Sequence, residues 1–143
     1  MKKLLFAILA VLFLSSYIQA GEGKIAIIVN ANSPLGNNIS MDKVRDIYTG
    51  KIKFEGKTKI QPANQKDKGL FDEYLGKFVG MDANAYKNHW VKKVFAEGGA
   101  PPLIIGSSKD VIKYVSENDG GIGYVWEGDL TGNEGGIKKI SAR

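Results

Sequence analysis

The sequence lacks cysteine and has only one histidine among its 143 residues. The absence of cysteine excludes a disulfide scaffold and a lipoprotein anchored through cysteine. With His89 as the single histidine, we expect no metal site. P-loop, Rossmann and nucleophile-elbow motifs are also absent, and the adjacent carboxylates Asp72 and Glu73 fall on a predicted helix surface. We therefore expect no cofactor and no enzymatic reaction.

Long apolar runs are missing after residue 20. Before it, Lys2 and Lys3 precede an apolar stretch over residues 4–14 and a run that ends at Ala20. This is the pattern of a cleavable secretory signal, and the stretch is shorter than the roughly 20 residues of a membrane span. We expect residues 1–20 to be a signal peptide and residues 21–143 to be exported to the periplasm. An uncleaved leader that anchors the chain is the alternative.

Charge is only mildly unbalanced, with a formal net value of +5. The lysines are spread along the chain, and no basic run is interleaved with aromatic residues, so we do not expect nucleic-acid binding. The excess fits an anionic ligand or partner. Ordinary solubility explains it equally well.

Strand and helix patterns alternate along residues 21–143 and predict one α/β domain with a mainly parallel sheet. The third helical pattern places five residues inward: Tyr86, Trp90, Val91, Val94 and Phe95. The turn-like segment 129–134 lacks the regular oxygen spacing of a calcium loop. The predicted strands are residues 24–30, 59–63, 103–105, 122–126 and 136–140, and the predicted helices are 40–48, 69–79, 82–97 and 107–118.

Several short motifs stand in a characteristic order. Two of them are Ile47-Tyr48-Thr49-Gly50-Lys51 and Gly120-Gly121-Ile122-Gly123-Tyr124-Val125; between them lie a degenerate Phe54-Glu55-Gly56 turn, Ile60-Gln61-Pro62-Ala63-Asn64, Phe71, Trp90 and a break over residues 95–102. Together they resemble the substrate-binding proteins of phosphate ABC transporters, in a short single-lobe form. The resemblance implies a three-layer single lobe of a type II periplasmic-binding-protein-like fold, with a mainly parallel mixed sheet.

The resemblance also implies an anion site where residues 64–69 lead into the helix that contains Phe71. In the family, an Arg and a Ser-Gly-Thr turn hold phosphate there. Here the Arg and the hydroxyls are missing. Free amides at a helix start favour an anion. The expected ligand-binding residues are Asn64 as an amide donor, Lys66 and Lys68 as charges, Gly69 as the point of backbone approach, and Asp67 as proton acceptor or helix cap. A solvated, charged turn is the alternative.

Two serines complete the expected site. Ser33 and Ser107 could lie at the same sheet edge as this turn, beyond the carboxyl ends of the strands, where α/β folds bind ligands. Each can instead be only a turn former or a helix cap.

These observations lead to a functional hypothesis with one alternative. We expect a periplasmic, non-enzymatic protein that binds phosphate or a related small oxyanion in support of an ABC importer or sensor. A single lobe cannot enclose a ligand, so a homodimer or a second protein could supply the missing wall. The alternative is an interaction domain of the cell envelope that keeps the lobe without a ligand.

Overall fold

Eight strands and four α-helices make up the computed structural model, which describes residues 23–143. The expected signal peptide lies outside the described residues. A π-helix, Leu75–Val79, extends α2, and a 3-10 turn, Glu127–Asp129, follows β7. The elements are β1 (Ile25–Asn30), β2 (Asn38–Ile39), α1 (Met41–Tyr48), β3 (Phe54–Glu55), β4 (Thr58–Lys59), β5 (Gln61–Gln65), α2 (Lys68–Tyr74), α3 (Ala83–Glu97), β6 (Leu103–Ile105), α4 (Ser108–Glu117), β7 (Gly121–Trp126) and β8 (Ile137–Ala142).

Six strands form one sheet in the order β2-β8-β1-β7-β5-β6. β5 runs parallel to both β6 and β7, and β2 runs parallel to β8. β1 runs antiparallel to both of its neighbours. The predicted mainly parallel mixed sheet is therefore confirmed. The carboxyl ends of β5, β6 and β7 meet at one edge, which we call the carboxyl edge, whereas β1 ends at the opposite edge.

Helices cover both faces of the sheet, which confirms the three-layer prediction. Because side chains alternate along a strand, Ile27 and Tyr124 point into the larger core formed with α1, α2 and the π-helix. Ala26, Ile28 and Val125 point to the other face and pack against α4. Within residues 23–143, no helix is both long and apolar enough to cross a bilayer.

Side-chain caps fix where the helices begin. Ser40, Asp82 and Ser107 each accept a hydrogen bond from a backbone N–H three residues later, at 3.1, 2.7 and 3.1 Å. Asp67 does the same for α2. Such caps satisfy amides that have no partner inside the helix. The predicted starts of α1, α3 and α4 are confirmed.

Two helical predictions differ from the structure. The single helix expected over residues 69–79 becomes π-helical from Leu75 onward. In α3, Tyr86 and Trp90 are buried as predicted, but the inward assignment of the other three residues is wrong. Val91, Val94 and Phe95 are 47%, 39% and 87% exposed. Apolar periodicity identifies a face of the helix, but it does not show what covers that face. Among residues 23–143, β6 is the last strand on this side of the sheet, and the three side chains remain exposed.

Gly123 sets how closely α4 approaches β7. A Cβ at this position would lie 2.6 Å from Cγ1 of Val111 and 3.3 Å from Cγ2 of Val115. The glycine in Ile122-Gly123-Tyr124 therefore lets the helix rest directly on the strand.

We predict that Gly123→Ala destabilises the domain by about 1–3 kcal/mol, because Val111 must move within a packed core. Urea unfolding followed by tryptophan fluorescence measures the loss. Gly128→Ala is the matched control, since no atom lies within 4 Å of its added Cβ. Equal stability of the two variants would refute the close-approach argument.

Three tyrosine rings form the centre of the larger core. Tyr74 stacks on Tyr124 with ring centroids 3.6 Å apart, and Tyr48 meets the edge of Tyr74 at 4.9 Å. Burial raises the pKa of all three hydroxyls above the ordinary value of 10.0, and it also raises the pKa of Tyr86. The folded state therefore holds these protons at a pH where the unfolded chain releases them.

The raised pKa values predict a loss of stability in alkali. Below about pH 10 both states are protonated and the full stability is present; above it, only the unfolded state loses protons. The free energy of unfolding should fall by about 1.4 kcal/mol per pH unit for each buried tyrosine. Urea titrations between about pH 9 and pH 11 measure this slope. Tyr74→Phe should reduce this slope by the contribution of one tyrosine. An unchanged slope would contradict the prediction.

Candidate functional site

Side chains, rather than main-chain pairing, hold β5 and β7 together at the carboxyl edge. Their register ends at Pro62 opposite Ile122. Beyond that point the backbone N–H of Gln65 donates to the Tyr124 hydroxyl at 3.1 Å. The Gln65 amide donates to the Tyr124 carbonyl at 3.1 Å. Both side chains are buried or nearly so, so the two strand ends are fixed relative to each other.

From Tyr124 the hydrogen bonds continue to the helices on one face of the sheet. The Tyr124 hydroxyl donates to Oδ1 of Asn64 at 3.0 Å, and Nδ2 of Asn64 donates to the Tyr86 hydroxyl at 3.1 Å. The Tyr86 hydroxyl in turn donates to the carbonyl of Tyr48 at 2.9 Å. This path joins β7, β5, α3 and α1.

On the other face the path leads to α4. Nε2 of Gln65 donates to the Ser108 hydroxyl at 3.1 Å, and that hydroxyl donates to Oδ2 of Asp129 at 2.8 Å. We call the whole set the edge network; its members are Asn64, Gln65, Tyr86, Ser108, Tyr124, Asp129 and the Tyr48 carbonyl.

The Tyr48-Thr49-Gly50-Lys51 motif holds α3 against α1. Beside the bond from Tyr86, the Tyr48 carbonyl accepts from Nε1 of Trp90 at 3.1 Å, and the Thr49 carbonyl lies 2.8 Å from Nε2 of His89. Gly50 has φ of 77° and lies so close to Trp90 that a Cβ would fall 2.5 Å from its ring.

Within residues 23–143, no group of three metal-ligating side chains occurs.

A polar cleft of about 710 Å³ opens at the carboxyl edge. It lies between the turn after β5, the start of α4 and the loop after β7. Ser107 caps α4 through Asp110, but the backbone N–H groups of Ser108 and Lys109 have no partner within residues 23–143. The cleft is lined by Gln65, Asp67, Gly106, Ser107, Ser108, Lys109, Ile112, Asp129, Thr131, Asn133 and Glu134.

Carboxylates outnumber cations in this polar cleft: Asp67, Asp129 and Glu134 face one lysine, Lys109. Each carboxylate already accepts hydrogen bonds from the protein. The backbone N–H of Thr131, together with its hydroxyl, lowers the pKa of Glu134. The three carboxylates therefore repel a fully ionised anion. A ligand that keeps a proton can instead donate a hydrogen bond to one of them.

Of the seven expected site residues, Asp67 and Ser107 line the polar cleft. Lys66, Asp67, Lys68 and Gly69 form the exposed turn from β5 into α2, and Lys68 pairs with Asp72. Ser107 lies across the polar cleft from Asp67. Asn64 lies two residues before the turn, but it is buried and its side chain is bonded to tyrosine hydroxyls. It orients the turn without facing the cleft.

Ser33 does not belong to this group, and its expected position at the carboxyl edge is wrong. It follows β1, and because β1 runs antiparallel to β7, its carboxyl end lies at the opposite edge. The Ser33 hydroxyl accepts from the backbone N–H of Leu35 at 3.2 Å. It therefore forms a turn, as the alternative reading allowed.

Sequence reasoning missed the partners that shape the edge. Tyr124 lies 60 positions from Asn64, and Ser108 lies 43 positions from Gln65. Tyr124 was visible only as part of a buried strand, and residues 129–134 only as a turn. No local signal links such distant residues.

Replacing tyrosine by phenylalanine tests the edge network. Tyr124→Phe leaves Asn64 Oδ1 and the Gln65 N–H buried without that partner, so we predict a loss of about 1–3 kcal/mol. Tyr74→Phe is the matched control, because the buried Tyr74 hydroxyl has no hydrogen-bond partner among the described residues; it should be neutral or stabilising. Chemical unfolding measures both, and the reverse order would disprove the assignment.

Comparison with known proteins places the fold. No protein-family model and no curated protein matches the chain. Solved structures do match: an ABC-type phosphate transport receptor from Vibrio cholerae aligns over 84% of this chain with 19% identity and a TM-score of 0.64. PstS from Borrelia burgdorferi aligns over 85% with 16% identity and a TM-score of 0.65.

A third structure is that of a Clostridium perfringens protein assigned as a phosphate ABC transporter substrate-binding protein, with phosphate bound. It aligns over 84% of this chain with 21% identity and a TM-score of 0.64. The alignments cover 46%, 47% and 45% of those three chains, so this chain spans less than half of the structures it matches. At such identities the likeness concerns the fold: the described residues have the type II periplasmic-binding-protein-like fold of phosphate-transport receptors, in single-lobe form.

Proposed function

We propose that this protein is a periplasmic, non-enzymatic solute-binding module whose polar cleft binds phosphate or a related small oxyanion. The observation that carries the proposal is the start of α4, where the N–H groups of Ser108 and Lys109 have no protein partner among residues 23–143 and both residues line the cleft. The positive end of a helix dipole favours an anion at such a place. The fold shared with phosphate-transport receptors adds support.

Flanking residues complete the proposed contacts. The Lys109 side chain and the Ser107 cap line the same cleft as the free amides. On the opposite wall stands Asp67, from the exposed turn that begins α2; Lys66, Lys68 and Gly69 lie on the same turn, outside the lining of this cleft. None of these groups supplies the planar fork with which arginine clamps an oxyanion, so we expect weak binding.

The carboxylates of the cleft favour an oxyanion that carries a proton. Asp67 can accept a hydrogen bond from the P–OH group of phosphate, while sulfate at neutral pH has no proton to give. Sulfate therefore meets only repulsion from Asp67, Asp129 and Glu134. We expect phosphate to bind more tightly than sulfate.

A second wall is needed to enclose a ligand. The chain spans less than half of the receptors it matches, and the polar cleft is open on its outer side. We propose that a membrane importer or sensor, or a second copy in a homodimer, closes it. The same arrangement would let the module pass a weakly held ligand onward.

One observation favours the alternative, an envelope interaction domain that has lost its ligand. The side-chain amide of Asn64, which stands next to the proposed binding turn, is bound within the protein by Tyr86 and Tyr124. In that case the carboxyl edge serves as a docking surface and no oxyanion binds. Ligand titration separates the two functions.

Calorimetry with inorganic phosphate and sulfate tests the proposal. We predict millimolar or tighter phosphate binding, and sulfate binding at least about tenfold weaker. Gly106→Asp should abolish phosphate binding, because it puts a carboxylate beside the free amides at a position with nothing within 4 Å. Gly76→Asp is the matched control, with the same charge change on the π-helix and nothing within 4 Å.

The absence of any heat of binding with phosphate at several millimolar would refute the oxyanion proposal and favour the interaction domain. Equal loss in both aspartate variants would also refute it, since the effect would then follow net charge and not the polar cleft. Thermal shift gives an independent reading, because a ligand that binds only the native state raises the melting temperature.

A further inference from the structure

A second cleft, of about 720 Å³, lies on the outer side of β6 beneath α3. We call it the apolar cleft. Ten of its lining residues are apolar or aromatic, and the edge network separates it from the polar cleft. Its lining consists of Asn64, Gln65, Lys66, Lys68, Phe71, Ala83, Asn84, Tyr86, Lys87, Trp90, Val91, Val94, Phe95, Pro101, Pro102 and Ile104.

The floor of the apolar cleft is rigid. The Tyr86 hydroxyl and Trp90 Nε1 both donate to the Tyr48 carbonyl, at 2.9 and 3.1 Å, so their polar atoms point into the protein. Phe71 packs edge-on against Tyr86 with centroids 5.9 Å apart. Only the apolar parts of the rings face the cleft, in fixed orientations. A preformed apolar wall of this kind is typical of ligand sites.

The walls of the apolar cleft are exposed. Phe95 and the three valine or isoleucine side chains beside it, Val91, Val94 and Ile104, all line the cleft, and Ile104 is 73% exposed. Grouped apolar exposure on this scale marks a binding surface more often than isolated exposed residues do.

The polar lining of the apolar cleft has one sign of charge. Lys66, Lys68 and Lys87 contribute to it, and no aspartate or glutamate does. Lys68 forms an ion pair with Asp72, which lies outside the lining. Lys66 and Lys87 form no ion pair among residues 23–143, so their charges are available to a ligand. The chemistry complementary to this arrangement is an apolar body joined to an anionic group.

We propose that the apolar cleft binds a small amphiphilic anion, with the apolar body between α3 and β6 and the anionic head at Lys66 and Lys87. The volume falls within the roughly 300–1,000 Å³ of small-molecule sites. A second copy of the chain fits less well, because a two-fold contact would bring the same lysines of both copies into one interface without carboxylates from the lining.

Dodecanoate below its micelle-forming concentration is the probe, with dodecyltrimethylammonium as the matched amphiphile of opposite charge. Binding is followed by calorimetry and by the fluorescence of Trp90 in a Trp126→Phe background. We expect saturable binding of dodecanoate and at least about tenfold weaker binding of the cationic probe.

Paired variants locate the site. Ile104→Asp should abolish dodecanoate binding, while Phe54→Asp, at an exposed aromatic residue on β3 that is 56% exposed and outside the cleft, should leave it unchanged. Lys87→Glu should weaken binding about tenfold. Lys113→Glu, an exposed position on α4 across the sheet, is its control. Because these residues are exposed, we expect the variants to keep the fold, and circular dichroism checks this.

Three results would overturn the inference: no saturable binding of dodecanoate, equal affinity for the cationic probe, or binding that survives Ile104→Asp. Sedimentation tests for a fourth contrary result. If the protein is a dimer and Ile104→Asp dissociates it, this face belongs to an interface with a second copy. The outcome is independent of the oxyanion proposal, because Gly106→Asp disturbs only the polar cleft and Ile104→Asp only the apolar one.

Discussion

The hydrogen bonds that Tyr124 makes with Asn64 and Gln65 are the constraint on which the carboxyl edge depends. Main-chain pairing between β5 and β7 stops at Pro62, and the tyrosine hydroxyl satisfies buried groups that the ladder leaves open. From there one path reaches α1 through Tyr86, and another reaches α4 through Ser108. Buried polar groups are costly unless they are all bonded, so this network fixes the edge in one arrangement.

That network also separates two surfaces of different chemistry. On one side, the start of α4 presents free amides among serines and carboxylates. On the other, Phe71, Tyr86 and Trp90 present only ring faces, with lysines at the margin. Asn64 and Gln65 stand between them. One domain therefore carries a polar cleft and an apolar cleft whose linings share Gln65.

Local chemistry made part of this structure predictable. Ser40, Asp82 and Ser107 could be recognised as caps because an N-cap bond spans only three residues, and the apolar run of β1 and β7 needed no distant information. The exposed turn from Lys66 to Gly69 was found in the same way. The direction of β1 was not, since a strand's pattern is the same in both directions; Ser33 was therefore assigned to the wrong edge. The exposure of Phe95 was missed because periodicity does not reveal what covers a helix.

The sequence by itself determined the helix caps and most of the helix and strand segments, because these depend on neighbours along the chain. Only the tertiary structure decided that Tyr124 bonds Asn64 from 60 positions away, that the start of α4 opens beside carboxylates, and that β6 ends the sheet while apolar residues of α3 stay exposed. Pairing and burial are set by the packing of distant segments, and the chain carries no local record of that packing.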